Sequence, residues 1–328
     1  MQYDDPIYGR FTINEPILQD LIHSQAVQRL HGVLQHGITG LIGLTEPITR
    51  FEHSMGAMLI VRRLGGSVPE QIAALLHDVS HTAFSHVIDH VLGSPKEQSY
   101  HDEMKETYMA TTDLPDILAR HAYDWTNFVD EEAFSLLEQP APRLCADRID
   151  YFLRDCMSLG LATQADVDRA VESLLVGNGR IALNDLAVAR WFGNTFMQAD
   201  DASWANFREV GLYELTAKAI RRALALSHIT LEDFWLTDDP LWQKLHAHPD
   251  AELQRLLKQV SLETQFVWDE ENPTFRVNTK LRAIDPDVWL DGALRPLSTL
   301  DPDFATQRSD YLSRKQGSWP MRVKASNQ

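Results

Sequence analysis

Four short polar motifs in the first half of the chain constrain the fold of this protein more than any other feature of its sequence. They are Arg50-Phe51-Glu52-His53, His77-Asp78 running on to His81 and Phe84-Ser85-His86, His101-Asp102-Glu103, and Asp147-Arg148-Ile149-Asp150-Tyr151. Read in order, they supply an isolated histidine, an adjacent His-Asp pair and a distant aspartate. Imidazole and carboxylate groups in combination suit a hydrolytic divalent metal. A fold that uses these residues together must bring distant stretches of chain to one point.

The predicted metal ligands are two imidazoles and two carboxylates, from His53, His77, Asp78 and Asp147. The His-Asp pair ends an apolar helical run over 72–76, and the other two ligands lie on two further predicted helices. Three helices meeting at one cation would form a rigid site. We expect one divalent metal from among Mn, Fe, Mg, Ni, Co and Zn. Two imidazoles and two carboxylates leave positions open on an octahedral metal. This favours the first five metals over zinc, whose structural sites are closed.

A second polar group is predicted to carry the chemistry, namely His81, His86, Asp89 and His101. Hydrolysis of a phosphate ester needs an activated water, cations around the phosphoryl oxygens and an acid for the leaving group. Imidazoles in this group can orient water, contact phosphate oxygens or donate a proton.

The segment 130–160 is predicted to be the clearest long helix. Five functional side chains recur along it at helical spacing and form one stripe, Asp147, Asp150, Tyr151, Arg154 and Asp155. A charged stripe usually faces solvent. A tyrosine and an arginine among carboxylates instead favour the wall of a cleft.

The last hundred residues have a different pattern. Apolar and polar residues alternate over 275–282, which predicts a strand, and 263–268 is expected to pair with it as a short β-hairpin. The basic, polar tail at 314–328 has a composition expected of disorder. We therefore predict a mainly α fold with two parts. Residues 1–180 form a helical bundle, and 181–328 form a helical extension and a smaller α+β region packed on it.

The charge balance limits the possible partners. With 47 acidic and 30 basic residues among 328, the formal charge is −17. Such a surface repels nucleic acid polymers and anionic membranes. Any phosphate ligand must therefore be held by a local cluster of cations or by a metal. No stretch reaches the roughly 18 apolar residues of a membrane span, and residues 1–11 do not form a signal peptide. The expected location is the cytoplasm.

Taken together, the motifs resemble the HD-domain phosphohydrolases, in particular the branch that contains the deoxynucleoside triphosphate (dNTP) triphosphohydrolases. The similar pieces are Asp5-Pro6-Ile7-Tyr8-Gly9, Gln28-Arg29-Leu30, Gln35-His36-Gly37, Arg50-Phe51-Glu52-His53-Ser54-Met55-Gly56, the run 77–86 and the run 147–155. The resemblance covers roughly residues 4–160. It implies an HD-domain helical bundle and a homo-oligomer, most simply a dimer.

The resemblance also implies roles for individual residues. The four ligands above would bind the metal, and His81, His86, Asp89 and His101 would be catalytic. Arg50 would hold the phosphate next to the scissile bond, and Tyr151 would contact phosphate. Gln35 and Asp155 would contact the sugar. Asp150 and Arg154, on the same stripe, are counted with these substrate-binding residues.

Two departures from the family pattern leave the substrate open. His36 stands where the family has leucine, and 202–218 lacks the Tyr-x-His pattern and the several basic residues that grip a triphosphate. A dNTP is the first choice of substrate, and a nucleoside monophosphate or another small phosphate monoester is the alternative. A nucleotide-sensing module is disfavoured because no ligand or catalytic histidine is missing. An RNA or DNA phosphodiesterase is disfavoured by the acidic balance.

Overall fold

A computed structural model describes residues 1–324 as a mainly helical chain. The α-helices, in chain order, are α1 (Pro16–Ile22), α2 (Gln25–Arg29), α3 (Ile38–Leu41), α4 (Arg50–Arg63), α5 (Val68–Leu76), α6 (Val87–Val91), α7 (Tyr100–Met109), α8 (Leu114–Arg120), α9 (Ala146–Ser158), α10 (Gln164–Ser173), α11 (Leu186–Ala199), α12 (Phe207–Ala225), α13 (Asp238–His246), α14 (Ala251–Gln259), α15 (Leu297–Leu300) and α16 (Pro302–Lys315). Shorter 3-10 helices cover Leu30–Gly32, Trp125–Phe128, Glu131–Ala133 and Leu231–Trp235, and a π-helical turn covers Asp200–Trp204. Across residues 1–324, none of the helices has the length and apolar character that crossing a membrane requires.

Three small sheets accompany the helices. Their strands are β1 (Gln2–Asp5), β2 (Gly9–Thr12), β3 (Leu174–Gly177), β4 (Arg180–Leu183), β5 (Phe266–Trp268), β6 (Phe275–Val277), β7 (Asp287–Leu290), β8 (Ala293–Pro296) and β9 (Trp319–Val323). The sheet orders are β1-β2, β3-β4-β7-β8 and β5-β9-β6. All strand pairs are antiparallel except β4 with β7.

Three helices position the predicted ligands. Capping boxes fix where two of them begin: Thr49 and Glu52 exchange hydrogen bonds before α4, and Ser67 and Glu70 do so before α5. Helix α4 is buried along most of its length and packs on both α5 and α9. The ligands therefore lie where the first turns of α4 and α9 meet the C-terminal end of α5.

The long helix predicted over 130–160 is shorter than expected, because α9 begins only at Ala146. The prediction was wrong for the first half of that segment. Pro140 and Pro142 lack the N–H that a helix interior requires, so the chain there forms turns and loop. The second half is helical and carries the stripe of functional side chains.

The C-terminal region contains a β-hairpin, but not between the predicted strands. Strands β5 and β6 do not pair with each other, because β9 lies between them and pairs with both. The true hairpin joins β7 and β8 through Asp291-Gly292, both in the left-handed conformation that a tight hairpin turn needs. The expectation of a disordered tail was also wrong for β9, where Trp319 and Met321 are buried. Residues 325–328 of that tail lie outside the described residues.

Two apolar cores stabilise the fold. The larger joins residues from the first 199 positions with residues from 283–311. The smaller joins Ile38 and the stretch 83–88 with residues from 205–260 and with β6 and β9. Each core thus takes residues from both sides of position 180, and the division into 1–180 and 181–328 stays a prediction.

Candidate active site

The four predicted ligands converge where α4, α5 and α9 meet. The Nε2 atoms of His53 and His77 are 3.1 Å apart, and Asp147 Oδ1 lies 3.0 Å from the first and 3.5 Å from the second. The Asp78 carboxylate completes the set, with Oδ2 3.6 Å from His53 Nε2 and Oδ1 3.6 Å from His77 Nε2. Two imidazole nitrogens and two carboxylates directed at one point fit a divalent cation, which would supply an activated water when bound.

Hydrogen bonds behind the two imidazoles determine which nitrogen faces this point. His53 Nδ1 donates to Asp150 Oδ2 over 2.8 Å, and His77 Nδ1 donates to the carbonyl of Ala74 over 2.7 Å. Each ring then presents the Nε2 lone pair to a metal. Burial lowers the pKa of His53, but hydrogen bonds to Asp147 and Asp150 outweigh it and raise the pKa to about 10. A bound cation replaces that proton.

A buried chain of charges holds Asp150 beneath the ligands. Arg154 Nε donates to Asp150 Oδ2 over 2.8 Å, and its Nη2 donates to Asp5 Oδ2 over 2.7 Å. Asp5 in turn accepts hydrogen bonds from the backbone N–H groups of Ile7 and Tyr8. Asp150 and Arg154 therefore lie behind the site and orient His53, rather than facing the cleft where a substrate would bind.

Arg50 connects the ligands with the space above them. Its Nη1 donates to Asp78 Oδ2 over 2.5 Å, and its Nε donates to Ser85 Oγ over 2.8 Å. Burial raises the pKa of Asp78, but the charges of Arg50 and His77 outweigh it and hold the pKa well below its ordinary value. The guanidinium also lines the cleft, so it can contact a phosphoryl oxygen while it stays close to Asp78.

The predicted catalytic histidines form one cluster beside the ligands. His81 Nε2 lies 3.2 Å from Asp78 Oδ1, and the His81 and His101 rings stack with centroids 3.9 Å apart. His86 Nδ1 donates to Asp89 Oδ2 over 3.1 Å. Burial lowers the pKa of His81 to about 3 and lowers those of His86 and His101 well below the ordinary value. Without substrate, the three imidazoles are therefore neutral at neutral pH.

A cleft of about 740 Å³ opens above the ligands and the histidine cluster. This volume is typical of a site for a small organic ligand. Gln35 and Tyr151 line the cleft together with Arg50. Asp155 does not, because His36 Nε2 donates to one of its oxygens over 2.9 Å and Trp204 Nε1 donates to the other over 2.6 Å. Both Asp155 oxygens have protein partners and the side chain is fully buried, so Asp155 does not face a sugar bound in the cleft.

Sequence reasoning missed several residues that line the cleft: His36, Trp204, Glu209, Lys280 and Arg282. His36 was noted only as a departure from the family pattern, although a buried acid such as Asp155 needs a partner. The two cations were assigned to the polar face of a predicted strand. Their signal in the sequence is weak, since only the fold brings residues near 280 over the ligands.

Comparisons with known proteins agree with this geometry. The family model described as HD domain matches residues 50–155. The chain is 40% identical to the metal-dependent phosphohydrolase cns2 of Cordyceps militaris, over 95% of this chain and 92% of that protein. It is 38% identical to the uncharacterized protein YdhJ of Bacillus subtilis, over 89% of each chain.

More distant proteins are also similar. The deoxynucleoside triphosphate triphosphohydrolase SAMHD1 of Homo sapiens is 26% identical, over 52% of this chain and 35% of that protein. Among solved structures, a phosphohydrolase from Bacteroides thetaiotaomicron has a TM-score of 0.71 at 17% identity, with 99% of this chain and 100% of that chain covered. At that identity, the likeness concerns the fold alone.

Proposed function

Since this chain belongs to the HD domain family and is a metal-dependent phosphohydrolase, we propose that it removes a single phosphate from a nucleotide or a similar small phosphate ester. The observation that carries this proposal is the charge of the cleft. Six carboxylates besides the ligands line it, Asp102, Asp130, Glu131, Glu132, Glu138 and Glu209, against five basic residues, Arg50, Arg148, Lys280, Arg282 and Arg308. A triphosphate would bring several more negative charges against these walls, whereas one phosphate is neutralised by the metal and a few cations.

Helix α12 supports the same conclusion. In the triphosphohydrolases that the sequence resembles, basic residues of the corresponding helix grip the triphosphate. Within residues 1–324, none of the basic residues of α12 lines the cleft, and each of their side chains already bonds to other protein groups: Arg208, Lys218, Arg221 and Arg222. What α12 contributes to the cleft is Glu209, Val210 and Tyr213. This lining suits an uncharged part of a ligand better than a polyphosphate.

The aromatic side chains of the cleft favour a nucleoside as that uncharged part. Four aromatic side chains line the cleft, Tyr151, Phe196, Trp204 and Tyr213. The Tyr151 and Trp204 rings pack edge to face, 4.9 Å apart. Flat aromatic surfaces accept a nucleobase by stacking, largely without regard to its identity.

The chemistry assigned to the chain's own residues follows from the distances above. Arg50 holds a phosphoryl oxygen close to the ligands. His86, oriented by Asp89, accepts a proton from the attacking water, because its neutral ring offers the nitrogen opposite the Asp89 bond. A phosphate dianion in the cleft favours the protonated form of a nearby imidazole, which lets His101 or His81 protonate the leaving oxygen.

A dNTP triphosphohydrolase is the second candidate. The motifs over 50–155 and the similarity to SAMHD1 favour it. It was the first choice from the sequence, and the lining of the cleft reverses the order. The two candidates differ in the bond that is cleaved and hence in the product that is released.

A screen of nucleotides and phosphate esters, each with several divalent metals, tests the proposal when phosphate and triphosphate are measured separately. We expect free phosphate from nucleoside monophosphates or p-nitrophenyl phosphate, and none from the Asp78→Ala variant. Triphosphate released from dNTPs without free phosphate would favour the second candidate. Nucleotide binding without any turnover would favour a sensor module instead.

A further inference from the structure

An irregular segment over 279–284 forms one edge of the cleft, although it lies far outside the stretch matched by the HD domain model. It follows β6 directly and is held firmly at its far end. Arg308 donates to the carbonyls of Ala283 and Ile284 over 3.1 and 3.0 Å. The backbone N–H of Asp285 donates to the carbonyl of Pro142 over 2.9 Å. A segment fixed at both ends presents its side chains with little cost in conformational freedom.

The middle of this segment is anchored as well. The backbone N–H of Arg282 donates to Asp200 Oδ2 over 3.1 Å, and the Tyr311 hydroxyl donates to the same oxygen over 2.7 Å. The Arg282 guanidinium donates to the side chain of Gln98 and lies over the Trp204 ring, 6.0 Å from its centroid. These contacts fix the direction in which Arg282 and its neighbour Lys280 enter the cleft.

Lys280 and Arg282 differ from the other basic residues of the cleft. Arg50 is paired with Asp78, Arg148 is paired with Glu138, and Arg308 is bonded to backbone carbonyls. Over residues 1–324, by contrast, neither Lys280 nor Arg282 forms an ion pair with a carboxylate. In a chain with 47 acidic and 30 basic residues, two neighbouring cations in a cleft that have no carboxylate partner of their own favour an anionic ligand there.

Their charges act on the groups that surround the ligands. Desolvation by the cleft walls, followed by the charge of Arg282, lowers the pKa of Lys280, and the charge of Asp147 raises it. After burial and Arg50, the charges of Arg282 and Lys280 lower the pKa of His86. The ammonium therefore lies within electrostatic range of a metal ligand on one side and of the histidine cluster on the other.

From these contacts we propose that residues 279–284 form a phosphate-binding arm, in which Lys280 and Arg282 contact oxygens of the substrate's phosphoryl group. The inference deepens the proposed function and rests on it for the identity of the ligand. Arg50 approaches that group from α4, and the arm approaches it from the segment that follows β6. Two cations in this arm suit one phosphate.

The test measures binding of inorganic phosphate to the purified protein, with the metal that it retains, by isothermal titration calorimetry. Lys280→Gln should weaken phosphate binding about 10- to 100-fold, the scale of one charge-assisted hydrogen bond. Lys280→Arg should keep most of the affinity. Arg276→Gln is the matched control, because Arg276 lies just upstream on β6 and pairs with Glu270 at the surface. Metal content and thermal unfolding should be unchanged in all three variants.

The outcomes separate this inference from the proposed function. Unchanged phosphate affinity in Lys280→Gln would overturn the arm, even if the protein hydrolyses monoesters. Equal weakening in Arg276→Gln would also overturn it, because a general loss of positive charge would then be the cause. If the wild-type protein with full metal occupancy binds no phosphate, the arm is wrong, and the substrate screen decides separately whether the proposed function survives.

Discussion

In three histidines of the site, His53, His77 and His86, the two ring nitrogens have different partners. In His53 and His77 one nitrogen is bonded to Asp150 or to a backbone carbonyl, and the other faces the cation site. In His86 one nitrogen is bonded to Asp89, and the ring lines the cleft. The hydrogen bond behind the ring decides which nitrogen is left free, and the position of the ring decides whether that nitrogen faces the cation site or the cleft.

This division predicts different outcomes for two substitutions. His101→Ala should keep the metal and lose roughly 10²–10⁴ in rate, the usual contribution of a general acid or base. Asp78→Ala should lose both metal and turnover, because it removes a charged ligand and the partner of Arg50. Elemental analysis and steady-state kinetics on both variants check this. Loss of metal in His101→Ala would move His101 from the chemistry to the ligand set.

Among the elements, α4 approaches α9 so closely that only glycine fits between them. A Cβ on Gly56 would lie 1.8 Å from Asp150 Oδ1 and 2.3 Å from Arg154 Nη2. The close packing of these helices and the orientation of His53 therefore depend on the same position. A change there affects the fold and the site together.

Gly56→Ala should consequently lower metal affinity about 10- to 100-fold, as other losses of support behind a ligand do. It should also destabilise the fold by about 1–3 kcal/mol through overpacking. Metal titration and denaturant unfolding measure the two effects. Gly211→Ala in α12 is the control, since its Cβ would crowd Phe266, 2.7 Å away, and no ligand. Normal metal affinity in Gly56→Ala, despite a loss of stability, would contradict the link.

A second connection between elements is the buried pair of His36 and Asp155, which joins the loop before α3 to α9. Burial lowers the pKa of His36, but Asp155 and then Glu209 outweigh it and raise the pKa to about 9. The folded-state pKa thus exceeds the unfolded value of about 6.5. The pair therefore contributes its full stability below pH 6.5 and loses it as the pH rises through 9.

We expect the free energy of unfolding to fall by on the order of 1–3 kcal/mol between pH 6.5 and 9 from this pair. His36→Gln keeps a hydrogen-bond donor but cannot titrate, so the part of the decrease due to the pair should vanish. Urea unfolding of both proteins at several pH values measures the difference. The same pH dependence in both would rule out His36 as its source.

For the whole molecule, the cation site is a tertiary junction rather than a local motif. Its ligands come from α4, from the residues that end α5, and from α9, and the larger core surrounds all three helices. Four polar groups from three helices therefore lie close together at the centre of the fold, and a bound cation would link all of them. Metal binding should stabilise the entire chain.

Removing the metal with a chelator should lower the melting temperature by several degrees, and adding it back should restore the original value. A ligand present at about 100 times its dissociation constant stabilises the native state by about 2.7 kcal/mol. Calorimetry on chelated and reloaded protein measures the shift. An Asp147→Ala variant should melt at the same temperature with or without the metal, and a shift in that variant would point to a different binding site.

The oligomeric state is the remaining prediction for the whole molecule. We expect a homodimer, because the sequence resembles a family of oligomeric enzymes. Four tryptophans of the second half, Trp191, Trp204, Trp235 and Trp242, are partly buried and pack against the two cores, so they add little support for an interface. Light scattering at micromolar concentration should give twice the 37.3 kDa of one chain. A single species of that lower mass would refute the dimer.

The sequence by itself determined the local chemistry. Helical spacing, caps and the His-Asp pair depend on residues a few positions apart, so the mainly helical fold class could be predicted from the chain, and the motifs predicted the candidate ligands and the histidine group. The likeness to the HD domain covers that same stretch. These features are encoded within single helices and their ends.

Only the tertiary structure decided what surrounds the ligands. Whether Asp155 faces a substrate depends on His36, 119 positions away, and the position of β9 between β5 and β6 depends on burying Trp319 and Met321. The segment 279–284 reaches the cleft through contacts with the π-helical turn Asp200–Trp204, with α16 and with the loop before α9. Such pairings depend on packing and burial among elements that are distant in the chain, so no local hydrophobic period or motif spacing predicts them.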